Sequence, residues 1–382
     1  MSIGKQVFLS LTLLVISSSA FSMAAWNGSN RPDLMVPNYN NTFSKLPTSG
    51  QLSKMPWSDD YWPTYKGGIT YRWNQQSGDE VQKYAYSLMS TDKIRKGIQS
   101  QELSPAEKFD IYLGRYDFPL TKYERKRTQI LRTVQRSSEF DKNFEIPTWE
   151  GLCHAWAPAT MLYQNPNPVK VINPHGIEVE FGSSDIKALL VYFLHLNNGR
   201  TNFLGSRCNL SFQDLNNKVG SSLMTEEEMM AKMNSPECAD TNAGAFHVAL
   251  VNQIALLDEG FVADVTRDAE VWNQPVYGFK TRVLETEKSD PRVVAAGTVK
   301  EITVETEMYY ISEVAQTWYH VKDHKGLESK VYQYTLELDA RGRIIGGEWL
   351  SEERPDFIWK QTKPSFSGFF APLKAIYEKS IR

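Results

Sequence analysis

Residues 148–158 read TWEGLCHAWAP, and this segment carries the clearest signal of both local structure and chemistry. Gly151 allows a tight bend just before Cys153. Pro158 is tolerated only near the start of a helix or at a kink, so a helix is predicted to begin at Cys153 and run towards Leu162. The sulfur then meets the helix N-terminus, where the partial positive charge and free N–H groups lower a thiol pKa and bind an oxyanion. Cys153 is therefore the candidate nucleophile.

Two later segments carry the partners that a nucleophilic thiol needs. His247 stands in the segment NAGAFHV, and Asp264 stands in the segment FVADVT. A thiol needs a base within hydrogen-bond reach and a third group that fixes the tautomer of the base. Residues 246–254 and 261–265 have the composition of neighbouring strands, so the two side chains are predicted to face each other across a hairpin. The order Cys, His, Asp is that of papain-like and transglutaminase-like enzymes.

Other assignments remain open for these partners. A lone His in an apolar strand is more often a core residue, and Asp264 could instead hydrogen-bond a turn. Asp268 is the main rival to Asp264 as the orienting group. His154 is a poor base, because adjacent residues on a helix do not face each other. The tryptophans that could line a substrate tunnel are Trp149, Trp156 and Trp272.

The N-terminus indicates export. Lys5 precedes an apolar run over residues 7–16, and small residues follow at Ala20 and Ser22. This pattern is typical of a secretory signal peptide, assigned to residues 1–22 and cleaved near Ser22. The run is shorter than the roughly 20 residues of a membrane-spanning helix. A secreted or periplasmic protein without a membrane anchor is therefore expected.

The cysteine count is informative in an oxidising compartment. The chain has three cysteines, so an odd one is left over. If Cys153 is the nucleophile, Cys208 and Cys238 are left to form a disulfide. That bridge would close a loop of about 30 residues and stabilise the fold by roughly 3–4 kcal/mol. The alternative is that all three are small buried hydrophobic residues.

Composition gives only broad limits. The net charge of −3, 41% hydrophobic and 23% charged residues are ordinary for a globular protein and give no indication of a nucleic-acid partner. The sequence shows no EF-hand loop, no His-Glu-x-x-His motif and no cysteine pairs at zinc spacing, so no metal ligand is assigned. Residues 23–100 are interpreted as an irregular N-terminal segment and a candidate prosegment, and residues 101–382 as the catalytic region.

Local patterns predict both helices and strands. Residues 104–107, SPAE, form a capping box with Pro at the first helical position. Apolar side chains recur at helical spacing over 186–193, after the cap at Ser184-Asp185. Alternation with period two predicts strands at 302–310 and 331–338, and a further strand at 343–349. These elements favour a single α+β body.

A family resemblance extends over several separated motifs. They are residues 149–158, 181–190, 205–209, 237–247 and 264–275. Together they closely resemble the transglutaminase elicitor family, which is best known from secreted oomycete transglutaminases and has marine bacterial members. The resemblance covers nearly the whole chain after the signal peptide.

The resemblance implies a papain-like or transglutaminase-like cysteine acyltransferase core with protein-glutamine γ-glutamyltransferase activity. In that reaction a thiolate attacks a Gln carboxamide, ammonia leaves, and a Lys amine resolves the thioester. The nucleophile's role falls on Cys153, and the base and orienting roles fall on His247 and Asp264. Protein substrates with exposed Gln, amine donors and calcium dependence are further implications.

The same residues would also serve a papain-like cysteine hydrolase, either a peptidase or a glutamine deamidase. Transfer differs from hydrolysis in whether an amine or water reaches the thioester, which depends on the shape and dryness of the tunnel. A non-catalytic secreted recognition protein is the alternative from a different class. The presence of Cys153, His247 and Asp264 together favours catalysis.

Overall fold

The computed structural model describes residues 26, 28–75, 87–197, 199–206, 240–265, 270–287, 294–320, 326–351 and 353–382. The α-helices are α1 (Thr91–Lys96), α2 (Pro105–Tyr112), α3 (Pro119–Thr128), α4 (Cys153–Leu162), α5 (Ser183–Leu196), α6 (Ala243–Val251) and α7 (Leu373–Ser380). The strands are β1 (Ser49–Gln51), β2 (Val169–Ile172), β3 (Glu178–Phe181), β4 (Thr201–Gly205), β5 (Phe261–Asp264), β6 (Asn273–Glu287), β7 (Lys300–Ile311), β8 (Leu327–Leu338), β9 (Ile344–Gly346) and β10 (Phe357–Gln361). A π-helical turn, Asn252–Leu256, continues α6. The fold is therefore a mixture of helices and sheet, as predicted.

Most strands belong to one antiparallel sheet in the order β4-β10-β5-β6-β7-β8-β9, with β1 added to β6. β2 and β3 form a separate two-stranded sheet. The large sheet curls, and Lys330 of β8 donates a hydrogen bond from Nζ to the carbonyl of Val265, just after β5, at 2.6 Å. This curvature brings the end of β5 close to the first part of β8.

The strand that the alternating pattern predicts at 302–310 is confirmed as β7. Ile302, Val304, Thr306 and Met308 are buried, and the residues between them are partly exposed. Side chains two residues apart lie on the same face of a strand, so the apolar side chains cover one face of the sheet. In place of the strand predicted at 343–349, the structure has the shorter strand β9, Ile344–Gly346.

Helix α5 lies at the centre of the core, with its residues buried from Ser183 to Leu194. Its two buried charges are paired: Lys108 of α2 contacts Asp185 at 2.5 Å, and Asp59 of the N-terminal segment contacts Lys187 at 3.3 Å. A buried charge costs several kcal/mol unless it is paired and hydrogen-bonded. These pairs therefore fix α2 and the N-terminal segment in register against α5.

The predicted capping box of α2 is confirmed. The backbone N–H of Glu107 donates to Ser104 Oγ at 3.3 Å, and the N–H of Ser104 donates to Glu107 Oε2 at 3.0 Å. The same carboxylate accepts a hydrogen bond from Arg72 Nε at 2.9 Å. The box thus joins the start of the helix to the N-terminal segment.

The predicted strand at residues 246–254 is wrong. This part of the chain forms α6 and its π-helical turn, with Asn242 as N-cap, because its side chain accepts hydrogen bonds from the N–H groups of Gly244 and Ala245. Gly244 packs directly on the carbonyl of Gly346, where a Cβ would lie 2.2 Å from the oxygen. Every residue of α6 is buried, and a fully buried apolar run shows no periodicity that separates a helix from a strand.

Candidate active site

The candidate nucleophile is the first residue of a helix. Cys153 begins α4, and α4 ends at Leu162, so the predicted helix is confirmed at both ends. The residue is 9% exposed. The N–H groups of the first helical turn have no intrahelical partner. The thiol therefore lies where backbone donors and the positive end of the helix dipole favour negative charge.

The bend before the nucleophile is held by the N-terminal segment. The N–H of Leu152 donates to the carbonyl of Tyr61 at 2.7 Å. At Gly151, an added Cβ would lie 2.4 Å from a ring carbon of Tyr61 and 3.0 Å from its carbonyl oxygen. The glycine is therefore required by this close approach.

The sulfur contacts the chain at the beginning of β6. The thiol of Cys153 donates to the carbonyl of Val271 at 3.6 Å, and Nδ2 of Asn273 donates to the sulfur at 3.8 Å. The amide oxygen of Asn273 in turn accepts a hydrogen bond from the indole N–H of Trp359 at 2.8 Å. A chain of contacts thus runs from β10 through β6 to the thiol.

Opposing influences act on the Cys153 thiol. Burial raises its pKa, whereas hydrogen bonds from the side chain and backbone of Asn273 and from the backbone N–H of His154 lower it. The negative charge of Glu313 raises it further. The net pKa lies above its ordinary value, so the sulfur needs a proton acceptor before it can attack.

Asp264 lies in the same part of the molecule as the thiol. It is the last residue of β5 and pairs with Asn273 across the antiparallel ladder. The side chain is fully buried, and Oδ1 accepts a hydrogen bond from the N–H of Trp272 at 3.0 Å. The structure therefore brings Asp264 and Cys153 to the one short segment that runs from Val271 to Asn273.

His247 does not occupy the predicted hairpin position. It lies in α6 rather than in a strand, and the partner of β5 in that region is β6, so Asp264 faces Asn273. Nδ1 of His247 lies 2.8 Å from the hydroxyl of Tyr334. That hydroxyl is 2.7 Å from the hydroxyl of Thr306. Burial lowers the pKa of His247 to about 4, so the ring is neutral near pH 7.

The three candidate tryptophans differ in their exposure. Trp149 is 37% exposed, and Trp272 is half-buried with its ring 6.1 Å from that of Tyr61. Trp156 is fully buried in the core. Trp149 and Trp272 are therefore accessible to a substrate, whereas Trp156 packs the interior of the described fold.

His154 turns away from the sulfur, as expected for a neighbour on a helix. Its Nε2 lies 3.0 Å from Nδ1 of His195 on α5, and the two rings form an edge-to-face pair. Burial, together with the adjacent His154, lowers the pKa of His195 to about 4. The pair joins α4 to α5.

Some predicted residues lie outside the described part of the chain. They are Cys208 and Cys238 of the predicted disulfide, and Asp268, the rival to Asp264. In the described ranges, no group of three or more His, Cys, Asp or Glu side chains could hold a metal ion. Calcium dependence stays a prediction.

Sequence reasoning missed several residues of the site. Asn273 and Gln274 are buried at the start of β6. Two polar residues at the start of a strand are a signal that the sequence does carry. Gln274 donates to both carboxylate oxygens of Glu313, at 3.1 and 3.2 Å. Tyr61 and Trp359 reach the site from distant parts of the chain, and their local sequence gives no signal of this.

A buried thiol at a helix start, beside an amide and a carboxylate on a curled antiparallel sheet, defines a cysteine-centred site on an α+β body. The profile of the transglutaminase elicitor family matches residues 36–371, and the chain belongs to this family. The crystal structure of the GP42 transglutaminase from Phytophthora sojae is similar, with a TM-score of 0.63 and 25% sequence identity. That match covers 93% of this chain and 98% of the GP42 chain. No curated protein sequence matches the chain.

The family and the similar structure support a transglutaminase-related function. The papain-like character of the core stays a prediction. Over the described residues, none of the helices combines the length and apolar character needed to cross a membrane.

Proposed function

We propose that this chain is a secreted protein-glutamine γ-glutamyltransferase with Cys153 as its nucleophile. The observation that carries the proposal is the sulfur at the start of α4, held between the carbonyl of Val271 and the amide of Asn273. Membership of the transglutaminase elicitor family supports the reaction class.

The reaction has two steps. The Cys153 thiolate attacks the side-chain carbonyl carbon of a substrate Gln, a C–S bond forms, the C–N bond breaks, and ammonia leaves with the proton that the thiol lost. A neutral Lys amine then attacks the thioester, an isopeptide C–N bond forms and the C–S bond breaks, and the proton that the amine loses returns to the sulfur. Cys153 is only 9% exposed, and a site that excludes water from the thioester favours transfer to an amine.

Several of the other predicted site residues have proposed roles in the same reaction. His247 takes the thiol proton, Asp264 supplies a negative charge near the site, and Trp149 and Trp272 contact the substrate. The buried position of Asp264, directly opposite Asn273 in the ladder, supports its role. The bond of His247 Nδ1 to Tyr334 leaves Nε2 as the nitrogen for the proton.

Export belongs to the same proposal. Residues 1–22 act as a signal peptide that is removed near Ser22, and the substrates are proteins with exposed Gln residues outside the cell. The proposed disulfide between Cys208 and Cys238 forms in that oxidising compartment.

The deciding assay measures incorporation of a labelled primary amine into a Gln-containing protein, together with ammonia release, with calcium and with a chelator. We expect wild-type protein to incorporate the amine and Cys153→Ala to lose all incorporation while it keeps its melting temperature. Ammonia release without incorporation would identify a deamidase. If neither product forms in either buffer, the proposed reaction is wrong.

His247→Ala belongs in the same experiment. We expect it to lose nearly as much activity as Cys153→Ala, because residues that act as a catalytic unit are not additive. Tyr334→Phe is the companion variant. It removes the hydroxyl that contacts Nδ1 of His247 and leaves the imidazole itself in place. A folded His247→Ala variant with most of its activity would show that the base lies elsewhere.

A further inference from the structure

The orientation of the Asn273 side chain is fixed by the chemistry of its neighbours. The indole N–H of Trp359 is a donor only, so the atom 2.8 Å from it must be the amide oxygen. The NH₂ group therefore points the other way, towards the Cys153 sulfur at 3.8 Å. Asn273 and Trp359 are both buried, so neither group can turn to water instead.

The arrangement leaves the amide with unused donor capacity. An NH₂ group carries two hydrogens, and the sulfur is a weak acceptor at this distance. Within the described residues, the sulfur is the acceptor that the Asn273 side chain reaches. A buried amide without strong partners costs stability, so each such group needs a physical reason.

The amide is not the only donor at this point. Cys153 and His154 open α4, and the N–H groups of a first helical turn have no intrahelical acceptor. The Asn273 amide and the helix start therefore converge on the sulfur from β6 and from α4. Two independent elements supply N–H groups to the place where an acyl carbon would be attached.

We propose that the Asn273 carboxamide and the backbone N–H groups at the start of α4 form the site that stabilises negative charge during acyl transfer, with Trp359 as the residue that aligns the amide. This inference rests on the proposed function. Asn273 is then a catalytic residue, because it contacts the reacting sulfur. Trp359 is a positioning residue.

The charge moves between two atoms in this step. When the thiolate lone pair forms the S–C bond, the π electrons of the substrate carbonyl move to its oxygen. Asn273 donates first to the thiolate and then to this oxyanion, and transfers no proton. When the carbonyl re-forms, the C–N bond breaks and ammonia leaves. Preorganised donors of this kind act strongly in a buried site because they need not reorient.

The test uses two readouts on the full chain. One is the pH profile for alkylation of Cys153 by iodoacetamide, followed by mass spectrometry of its peptide. The other is kcat and KM for amine incorporation. We expect Asn273→Ala to shift the alkylation profile to higher pH and to lower kcat roughly 10²–10³-fold with little change in KM, as for the loss of one oxyanion donor.

Trp359→Phe tests the positioning role with the aromatic packing retained. We expect an upward shift of the alkylation profile smaller than that of Asn273→Ala, because the amide stays but is free to turn. The matched control is Trp349→Phe, which removes another indole hydrogen bond, the one from Trp349 to the carbonyl of Thr241. Asn252→Ala is the control for loss of a buried amide, since Asn252 bonds the carbonyls of Asn40 and Val248.

An unchanged alkylation profile and kcat in folded Asn273→Ala would overturn the proposal. So would a shift in Trp349→Phe as large as that in Trp359→Phe. If the wild-type protein incorporates no amine, the acyl-transfer step fails. A shift of the profile in Asn273→Ala would then still establish the donor role towards the sulfur, so the two failures are distinguishable.

Discussion

Asp264 places a fully buried carboxyl group at the end of β5. Its Oδ1 accepts a hydrogen bond from the N–H of Trp272, and it lies opposite Asn273, which contacts the nucleophile. A buried carboxylate costs more than it contributes unless the surroundings use its charge. The charge is therefore expected to serve the chemistry of the thiol rather than the stability of the strand.

Asp264→Asn separates the charge of this side chain from its hydrogen bonding. The amide oxygen of Asn still accepts from Trp272, so the fold is expected to persist. Loss of the charge is expected to lower activity by roughly 10³-fold or more, as when the carboxylate of a catalytic triad is neutralised. Amine incorporation and a thermal melt on the same preparation measure both effects.

Asp268→Asn is the matched control, because it makes the same change four residues further along. We expect it to keep most activity. If Asp268→Asn is the damaging substitution and Asp264→Asn is mild, the orienting role belongs to Asp268.

At the scale of elements, the N-terminal segment is part of the active site. The carbonyl of Tyr61 holds Leu152, and the N–H of Thr64 donates to the carbonyl of Glu150 at 2.8 Å. The hydroxyl of Tyr61 donates to the carbonyl of Thr148 at 2.6 Å. The loop before Cys153 is thus held in place by hydrogen bonds to this segment. We therefore expect any processing of the candidate prosegment to leave this part of the chain in place.

Gly151→Ala tests this dependence. The added Cβ would lie 2.4 Å from the ring of Tyr61, so the loop or the ring must move. We expect a loss of about 1–3 kcal/mol in unfolding free energy, as for overpacked sites, and a fall in kcat because the sulfur is displaced. Chemical denaturation and amine incorporation measure the two effects.

The double variant Tyr61→Ala/Gly151→Ala is the informative companion. Removing the ring removes the steric conflict, so the double variant should be more stable than the sum of the single changes predicts. Strict additivity would show that the close approach of Tyr61 and Gly151 does not hold the loop.

Local signals predicted some of these elements well and others not at all. The helix from Cys153 to Leu162 was predictable because Gly151 and Pro158 mark its start, and β7 was predictable because its burial alternates. Helix α6 was mistaken for a strand because it is buried on every side. The contacts that complete the site join residues 120 and 86 positions apart, and no local pattern reports such distances.

At the scale of the whole molecule, burial lowers the pKa of some titratable groups and raises the pKa of others. It lowers the pKa of His247 and His195 to about 4, and it raises the pKa of Asp60 and Glu337 to about 7. The histidines reduce stability as the pH falls from about 6.5 to 4, because only the unfolded chain then takes up protons. The carboxyls reduce stability as the pH rises from about 4 to 7. These contributions therefore oppose each other across this range.

Glu337→Gln isolates the contribution of one of these carboxyls to the pH dependence of stability. Glu337 lies on β8, where burial raises its pKa from 4.5 to about 7 and Oε2 accepts a hydrogen bond from the N–H of Ala295 at 3.2 Å. Since the folded pKa is the higher one, the penalty for ionisation is absent below pH 4.5, grows as the pH rises to about 7 and is constant above it.

Gln at position 337 keeps the hydrogen-bond acceptor and cannot ionise. Its gain in unfolding free energy over wild type should therefore rise across this range towards an upper limit of about 3 kcal/mol. Urea titrations at several pH values measure this difference, with the exposed Glu285→Gln as control. A pH-independent difference would show that Glu337 ionises in the folded protein as easily as in the unfolded chain.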